Sequence, residues 1–130
     1  MSSKTRLAAL CAGSLLLSAC LSSGLPQIGQ VPSFTLTAED GRTFQSSAEL
    51  AGKVWVADFF FTTCNGPCPR MTALMRRVQD ATSEFDDVHL VSFTVDPKTD
   101  TPEKLAEYAR RFRYNPMRWH FLTGDPAELE

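Results

Sequence analysis

Two cysteines four positions apart, Cys64 and Cys68, are the side chains of this sequence best equipped for chemistry. They lie in the run Thr62-Thr63-Cys64-Asn65-Gly66-Pro67-Cys68-Pro69. A thiolate is both the nucleophile of disulfide exchange and a soft metal ligand. A pair of soft sulfurs with few other donors suits Cu(I), whereas structural zinc takes four ligands. A third reading is an inert disulfide staple, but staples usually join distant segments, and closing so short a loop gains little. Asp58 stands six residues ahead of Cys64, inside an apolar run. A buried carboxylate is costly without a partner. Asp58 therefore has two readings: it is kept for proton transfer to a thiol, or it faces solvent at a strand edge or loop.

Placing these groups takes a strand that ends, and a helix that begins, at the pair. Val54–Phe61 is broken only by Asp58, and its length and its β-branched and aromatic content predict a strand buried on both faces. Pro69 has no N–H and belongs in the first turn of a helix. The residue before a proline avoids helical angles, which puts Cys68 at or near the cap. Cys64 then falls in the preceding loop, with Gly66 letting the chain fold back. Both sulfurs converge on a helix N-terminus, where unpaired N–H groups and the dipole favour a thiolate. Met71, Leu74, Met75 and Val78 follow at helical spacing. His89–Val95 is a second buried-strand candidate, and Leu105, Tyr108, Ala109 and Phe112 form a second helical stripe. That helix opens with Thr101 as cap, Pro102 in the first turn and Glu103 at the positive end of the dipole. Trp119–Leu122 reads as a third strand. Upstream, Phe34-Thr35-Leu36, the Asp40-Gly41 turn and Arg42-Thr43-Phe44 predict a β-hairpin, and Leu50–Lys53 reads as a connector. The order hairpin, strand, helix, strand, helix, strand is an α/β arrangement.

A chain of 130 residues, 43% hydrophobic, fits one small domain. A net charge of −2 with no basic stripe argues against nucleic acid as a partner. The first residues have a different character. Lys4 and Arg6 precede an apolar stretch, Leu7–Ala19, too short to span a bilayer but suited to a signal-peptide core. Leu17-Ser18-Ala19-Cys20 resembles the bacterial lipoprotein signal, which implies diacylation of Cys20, cleavage before it and a membrane-tethered N-terminus. Loss of residues 1–19 takes Lys4, Arg6 and Cys11 away and moves the net charge from −2 to −4. Cys20 would then carry lipid, and neither it nor Cys11 would be free to complete a zinc set. Leu21–Pro32 is rich in Ser, Gly, Pro and Gln and reads as a tether. The expected organisation is a signal peptide over 1–19, a tether over 20–32 and a domain over 33–130. The expected place is the bacterial cell envelope, facing the periplasm or the exterior, where a disulfide can persist. Asp125–Glu130 reads as the first turn of a further helix, so the domain is expected to be incomplete at its C-terminus.

Three blocks of this chain, in this order, resemble the Sco/SenC family of copper-binding, thioredoxin-like proteins. They are Phe60-Phe61-Thr62-Thr63-Cys64 through Cys68-Pro69; Val91-Ser92-Phe93-Thr94-Val95-Asp96-Pro97 with Asp100-Thr101-Pro102-Glu103; and Trp119-His120-Phe121-Leu122-Thr123-Gly124. The resemblance spans residues 54–124 and, more loosely, the hairpin. It implies a thioredoxin-like fold, membrane tethering and copper held by Cys64 and Cys68. It also implies a metallochaperone, not an enzyme, that delivers copper to the CuA site of cytochrome c oxidase or reduces that site. The family's third copper ligand is a histidine further downstream than Glu130, and neither His89 nor His120 matches it. Two sulfurs alone still suit Cu(I) and serve Cu(II) poorly. Asp58 with Asn65-Gly66-Pro67-Cys68-Pro69 also resembles the thioredoxin active-site run, with one more residue between the cysteines. That implies the alternative, a thiol-disulfide oxidoreductase acting on another dithiol protein of the envelope. Peroxide reduction is a weaker third option, since the run before Cys64 lacks the Pro-Thr-x-x-Cys pattern of peroxiredoxin-like proteins. Asp96, at a strand end, is either a turn residue before Pro97 or a group that meets a partner or orients the loop.

Overall fold

Turn chemistry sets the entry into the sheet. In the computed structural model, which describes residues 26–129, β1 (Thr35–Ala38) and β2 (Thr43–Gln45) form the expected antiparallel hairpin, with Leu36 opposite Phe44. Gly41 takes φ +81° in the turn, a conformation that side-chain-bearing residues rarely adopt. Residues 46–49, unassigned by the sequence pattern, form a single helical turn, α1 (Ser46–Glu49). The Ser46 hydroxyl accepts the Phe34 N–H at 2.8 Å and ties this turn to the start of the hairpin. The signal segment, Cys11, Cys20 and the tether up to residue 25 lie outside the described residues. Among those described, no helix is long and apolar enough to cross a membrane.

Three parallel strands carry the rest: β3 (Val54–Phe60), β4 (Val88–Thr94) and β5 (Trp119–Thr123). They are joined by α2 (Pro67–Ala81) and α3 (Pro102–Arg111), and a last turn, α4 (Pro126–Leu129), follows. The sheet order is β2-β1-β5-β4-β3, with β1 antiparallel to β5. Register places Asp58 opposite Ser92 and His120 opposite Val91. One face of the sheet buries Phe60, Leu90, Trp119 and Phe121 against Met75 of α2 and Leu105, Tyr108 and Ala109 of α3. The other buries Leu36, Phe44, Leu50, Val91, Phe93 and Leu122. α3 opens as its sequence suggests: the Thr101 hydroxyl accepts from the Lys104 N–H, and Pro102 starts the helix.

Two expectations need correction. β3 is not buried on both faces. It pairs only with β4, at the sheet edge, and Val54 and Phe59 are about 60% exposed. Asp58 and Phe60, at its C-terminal end, are its buried residues, and Trp55 is half-buried against the second core. The buried face of α2 is also rotated from the apolar stripe. Cys68, Thr72, Met75 and Gln79 point inward, while Met71 and Leu74 face solvent. The inward polar residues are internally partnered. The Thr72 hydroxyl bonds the Cys68 carbonyl and the Tyr108 hydroxyl, each at 2.9 Å, and Gln79 Oε1 accepts the Asn115 N–H at 2.6 Å. Partnered polar groups can occupy a core face that a hydrophobicity pattern assigns elsewhere.

Candidate metal and thiol site

β3 ends at Phe60 and α2 begins at Pro67, so the loop between them delivers both sulfurs to one place. Cys64 and Cys68 are unbridged, buried at 9% and 6% exposure, and packed in one cluster with Phe60, Met75 and Tyr108. Gly66 is the N-cap of α2, and it offers no side chain to bond the first turn. Pro67 and Pro69 flank Cys68, so Cys68 lies inside the first turn, against the tendency of a pre-proline residue to leave helical space. The two prolines have a chemical consequence. A helix start normally presents several unpaired N–H groups, but prolines supply none, which leaves the amides of Gly66 and Cys68.

Those amides approach Cys64. Its thiol is held below the ordinary value of 9.0, first by the Cys68 thiol facing it, then by the Gly66 N–H, with the Cys68 N–H adding to them against burial. Cys68 moves the other way: burial, then the neighbouring Cys64 sulfur, push it above 9.0. Cys64 is thus the thiolate of the pair at lower pH, and Cys68 the proton-bearing partner. Among the described residues, no three His, Cys, Asp or Glu side chains gather as a metal cluster. Among the described residues the donor set at this site is two soft sulfurs, which suits Cu(I) better than zinc or Cu(II).

Asp58 is buried, as one of its two readings requires. Its Oδ1 accepts the Ser92 hydroxyl at 2.5 Å, and the Trp119 indole N–H donates to that same hydroxyl at 2.9 Å. Its Oδ2 is buried without a partner. Burial pushes its pKa up against the opposing Ser92 bond. Tyr108 lies within electrostatic reach of this carboxylate and of both sulfurs. Tyr108 shares one core cluster with both sulfurs.

A second buried carboxylate, which sequence reading did not single out as a site residue, lies beside the loop. Asp100 has no exposed surface and accepts from Thr62, two residues before Cys64, and from Thr94. The sequence signal was its place in the Asp-Thr-Pro-Glu block, which by itself reads as a helix cap. Asp96 is a turn residue: its carbonyl accepts the N–H groups of Thr99 and Asp100. His89 and His120 lie elsewhere, near the N-terminal ends of β4 and β5, with near-parallel rings 6.0 Å apart. His120 packs against Phe44 of the second core, and neither histidine joins the cluster of the cysteines.

Residues 25–130 match the family described as SCO1/SenC. The chain belongs to the SCO1/SenC family. It is 39% identical over 127 residues to the SCO1 protein homolog of Bacillus subtilis (strain 168), across 93% of this chain and 65% of that protein. The crystal structure of a SCO1/SenC family lipoprotein from Bacillus anthracis str. Ames is 41% identical at a TM-score of 0.71, over 77% of this chain and 60% of that one. Arabidopsis thaliana ScoI, solved with copper bound, is 32% identical at a TM-score of 0.64, over 75% and 60% of the two chains. This SCO1/SenC chain thus spans less than two thirds of the relatives it matches, and it shares with them the thioredoxin-like α/β fold expected from its sequence.

Proposed function

We propose that this protein is a copper-binding metallochaperone of the cell envelope, with Cu(I) as cargo on Cys64 and Cys68. The observation that carries the reading is the facing, unbridged thiol pair at the start of α2, with the two amides left there directed at Cys64. Soft donors select a soft cation. Binding requires both thiols to release their protons, and the lowered thiol of Cys64 makes the first release easy. The copper-bound Arabidopsis relative supports the cargo. The family resemblance supports a client carrying the CuA site of cytochrome c oxidase. The lipoprotein from Bacillus anthracis supports a lipid anchor at Cys20, after removal of residues 1–19, and a domain held outside the cytoplasm.

Titration of the protein with Cu(I) under anaerobic conditions tests this. One Cu(I) per chain is expected, lost in Cys64→Ala and lost in Cys68→Ala. Copper binding that survives both substitutions places the site elsewhere and ends the reading.

A second reading, thiol-disulfide exchange with another envelope dithiol protein, is favoured by Asp58 and its partnerless Oδ2. In that reaction the Cys64 thiolate attacks a client disulfide and releases one client sulfur. Cys68 then gives up its proton, closes the Cys64–Cys68 bond and frees the second client sulfur. Two electrons pass to the client, and Asp58 takes up the Cys68 proton. Trapping of a mixed disulfide in Cys68→Ser favours this reading; failure to exchange with any dithiol removes it.

A further inference from the structure

We infer that Asp100 is a positioning residue of the thiol site: its carboxylate holds the turn that aims Cys64 at Cys68. The inference rests on the reading of these two cysteines as the working pair.

Three donors converge on the Asp100 carboxylate. Oδ2 accepts the Thr62 backbone N–H at 3.0 Å and the Thr94 hydroxyl at 2.5 Å, and Oδ1 accepts the Thr62 hydroxyl. Thr62 is the second residue of a turn closed by the Cys64 N–H on the Phe61 carbonyl at 3.2 Å. The carboxylate therefore grips both the backbone and the side chain of the turn's leading corner. The rest of the loop has little to hold it. Thr63, Asn65, Gly66 and Pro67 are exposed, and a Cβ built on Gly66 would meet nothing within 4 Å. Cys64 is the one side chain buried between Thr62 and Pro67. Its direction is set at the two ends of the loop, by the start of α2 and by Asp100.

Asp100 is itself held in place. Its N–H bonds the Asp96 carbonyl at 2.9 Å, and the Asp96 N–H bonds the Thr94 hydroxyl at 3.0 Å. The Val95 N–H bonds the Phe60 carbonyl at 2.9 Å. The ends of β3 and β4 and the approach to α3 are thus locked into one frame, and the carboxylate transmits that frame to the loop. Its effect is geometric. The groups that move the Cys64 thiol are the Cys68 thiol, two amides and burial, and Asp100 is not among them. The amides help only while the sulfur stays where they reach it. Groups that orient a ligand from behind commonly matter 10–100-fold in metal affinity.

Three variants of the intact protein test this: Asp100→Ala, Asp100→Asn and Thr62→Val. The measurements are the pH midpoint of Cys64 alkylation, resolved from Cys68 by peptide mapping, and Cu(I) affinity by competition with a chromophoric chelator. Asp100→Ala is expected to weaken Cu(I) binding about 10–100-fold and to move the Cys64 midpoint to higher pH. Asp100→Asn is expected to restore both, because its amide oxygen can take the two Oδ2 donors while its NH2 meets a Thr62 hydroxyl turned to accept. Thr62→Val loses one hydroxyl bond and is expected to move both quantities the same way by less. An unchanged midpoint in Asp100→Ala overturns the proposal, and so does an Asn variant as damaged as the Ala variant. If Asp100→Ala does not fold, an unchanged midpoint in Thr62→Val overturns it alone. A wild-type protein that binds no Cu(I) defeats the metallochaperone reading, while the alkylation midpoints still decide on Asp100.

Discussion

Cys64 and Cys68 shift in opposite directions: the Cys68 thiol donates a hydrogen bond to the Cys64 sulfur and favours its thiolate, while burial, and then that same bond, hold the proton on Cys68. The Cys64 sulfur, facing the Cys68 thiol and two amides, ionises below 9.0, and the second ionisation, on Cys68, is pushed above it. Copper bound by both sulfurs, as proposed, would displace both protons, so Cu(I) affinity is expected to rise with pH and to keep rising above 9.0, where Cys68 still holds its proton. Chelator competition across the pH range checks this; an affinity that levels off well below 9.0 would mean that Cys68 is not a ligand. Asp58 poses a related question. Its folded pKa is raised, so the folded state keeps a proton that the unfolded state has released. That contribution is favourable below the ordinary 3.8 and is lost as pH rises through the folded value. Asp58→Asn removes this titration and leaves an oxygen for the Ser92 hydroxyl. Relative to wild type, the variant is expected to gain stability between pH 4 and pH 7 in urea unfolding. It is also expected to exchange more slowly with small disulfides if Asp58 handles the Cys68 proton. An unchanged exchange rate would leave Asp58 a structural group.

At the scale of elements, the succession of strands and helices along the chain, the hairpin and the cap of α3 were legible because each rests on local chemistry: alternation, a Gly turn, a Thr-Pro-Glu helix start. The position of the cysteines at a helix start was legible for the same reason, since Pro69 admits few placements. What could not be read was anything set by a partner distant in sequence. The α2 face follows Thr72 and Gln79, whose partners Tyr108 and Asn115 come from α3 and the segment after it. Asp100 looked like part of a helix start because Thr62 and Thr94 meet it only in the folded chain. Arg118 is a further case. It is buried at 8% exposure and donates to the Val88 carbonyl and to the carbonyl and hydroxyl of Thr82, at 2.7–3.0 Å. It thereby pins the end of α2 to the start of β4 beside β5. Arg118→Met keeps the packing of the stem but strands two carbonyls. A loss of about 2–3 kcal/mol in chemical denaturation is expected, with the Cys64 alkylation midpoint unchanged. A loss below about 0.5 kcal/mol, typical of exposed substitutions, would show that the pin carries no stability.

Taken whole, the molecule separates its chemistry from its most pH-sensitive packing. The thiols sit where β3 gives way to α2, at the C-terminal end of the parallel strands, where the loops of open α/β sheets place their ligand sites. His89 and His120 sit at the other end and on the other face, stacked on each other, with His120 against Phe44 of the second core. Burial and the neighbouring His89 depress His120 to about 4, with Glu49, Arg42 and Asp40 also in reach. The folded state therefore refuses a proton that the unfolded state accepts below 6.5. Unfolding takes up protons in that window, so stability falls as pH drops from 6.5 towards 4. The full shift corresponds to about 3 kcal/mol, and it opposes the Asp58 contribution, which grows favourable in the same direction. His120→Phe keeps a ring against Phe44, whose centroid lies 5.0 Å away, and removes the titration. Urea unfolding at pH 7 and pH 4 is expected to show most of the wild-type acid loss abolished in the variant, with copper stoichiometry at neutral pH unaltered. Equal acid losses in the two proteins would mean that protonation of His120 does not govern the acid limit of this fold. A changed stoichiometry would mean that the two ends of the sheet are coupled.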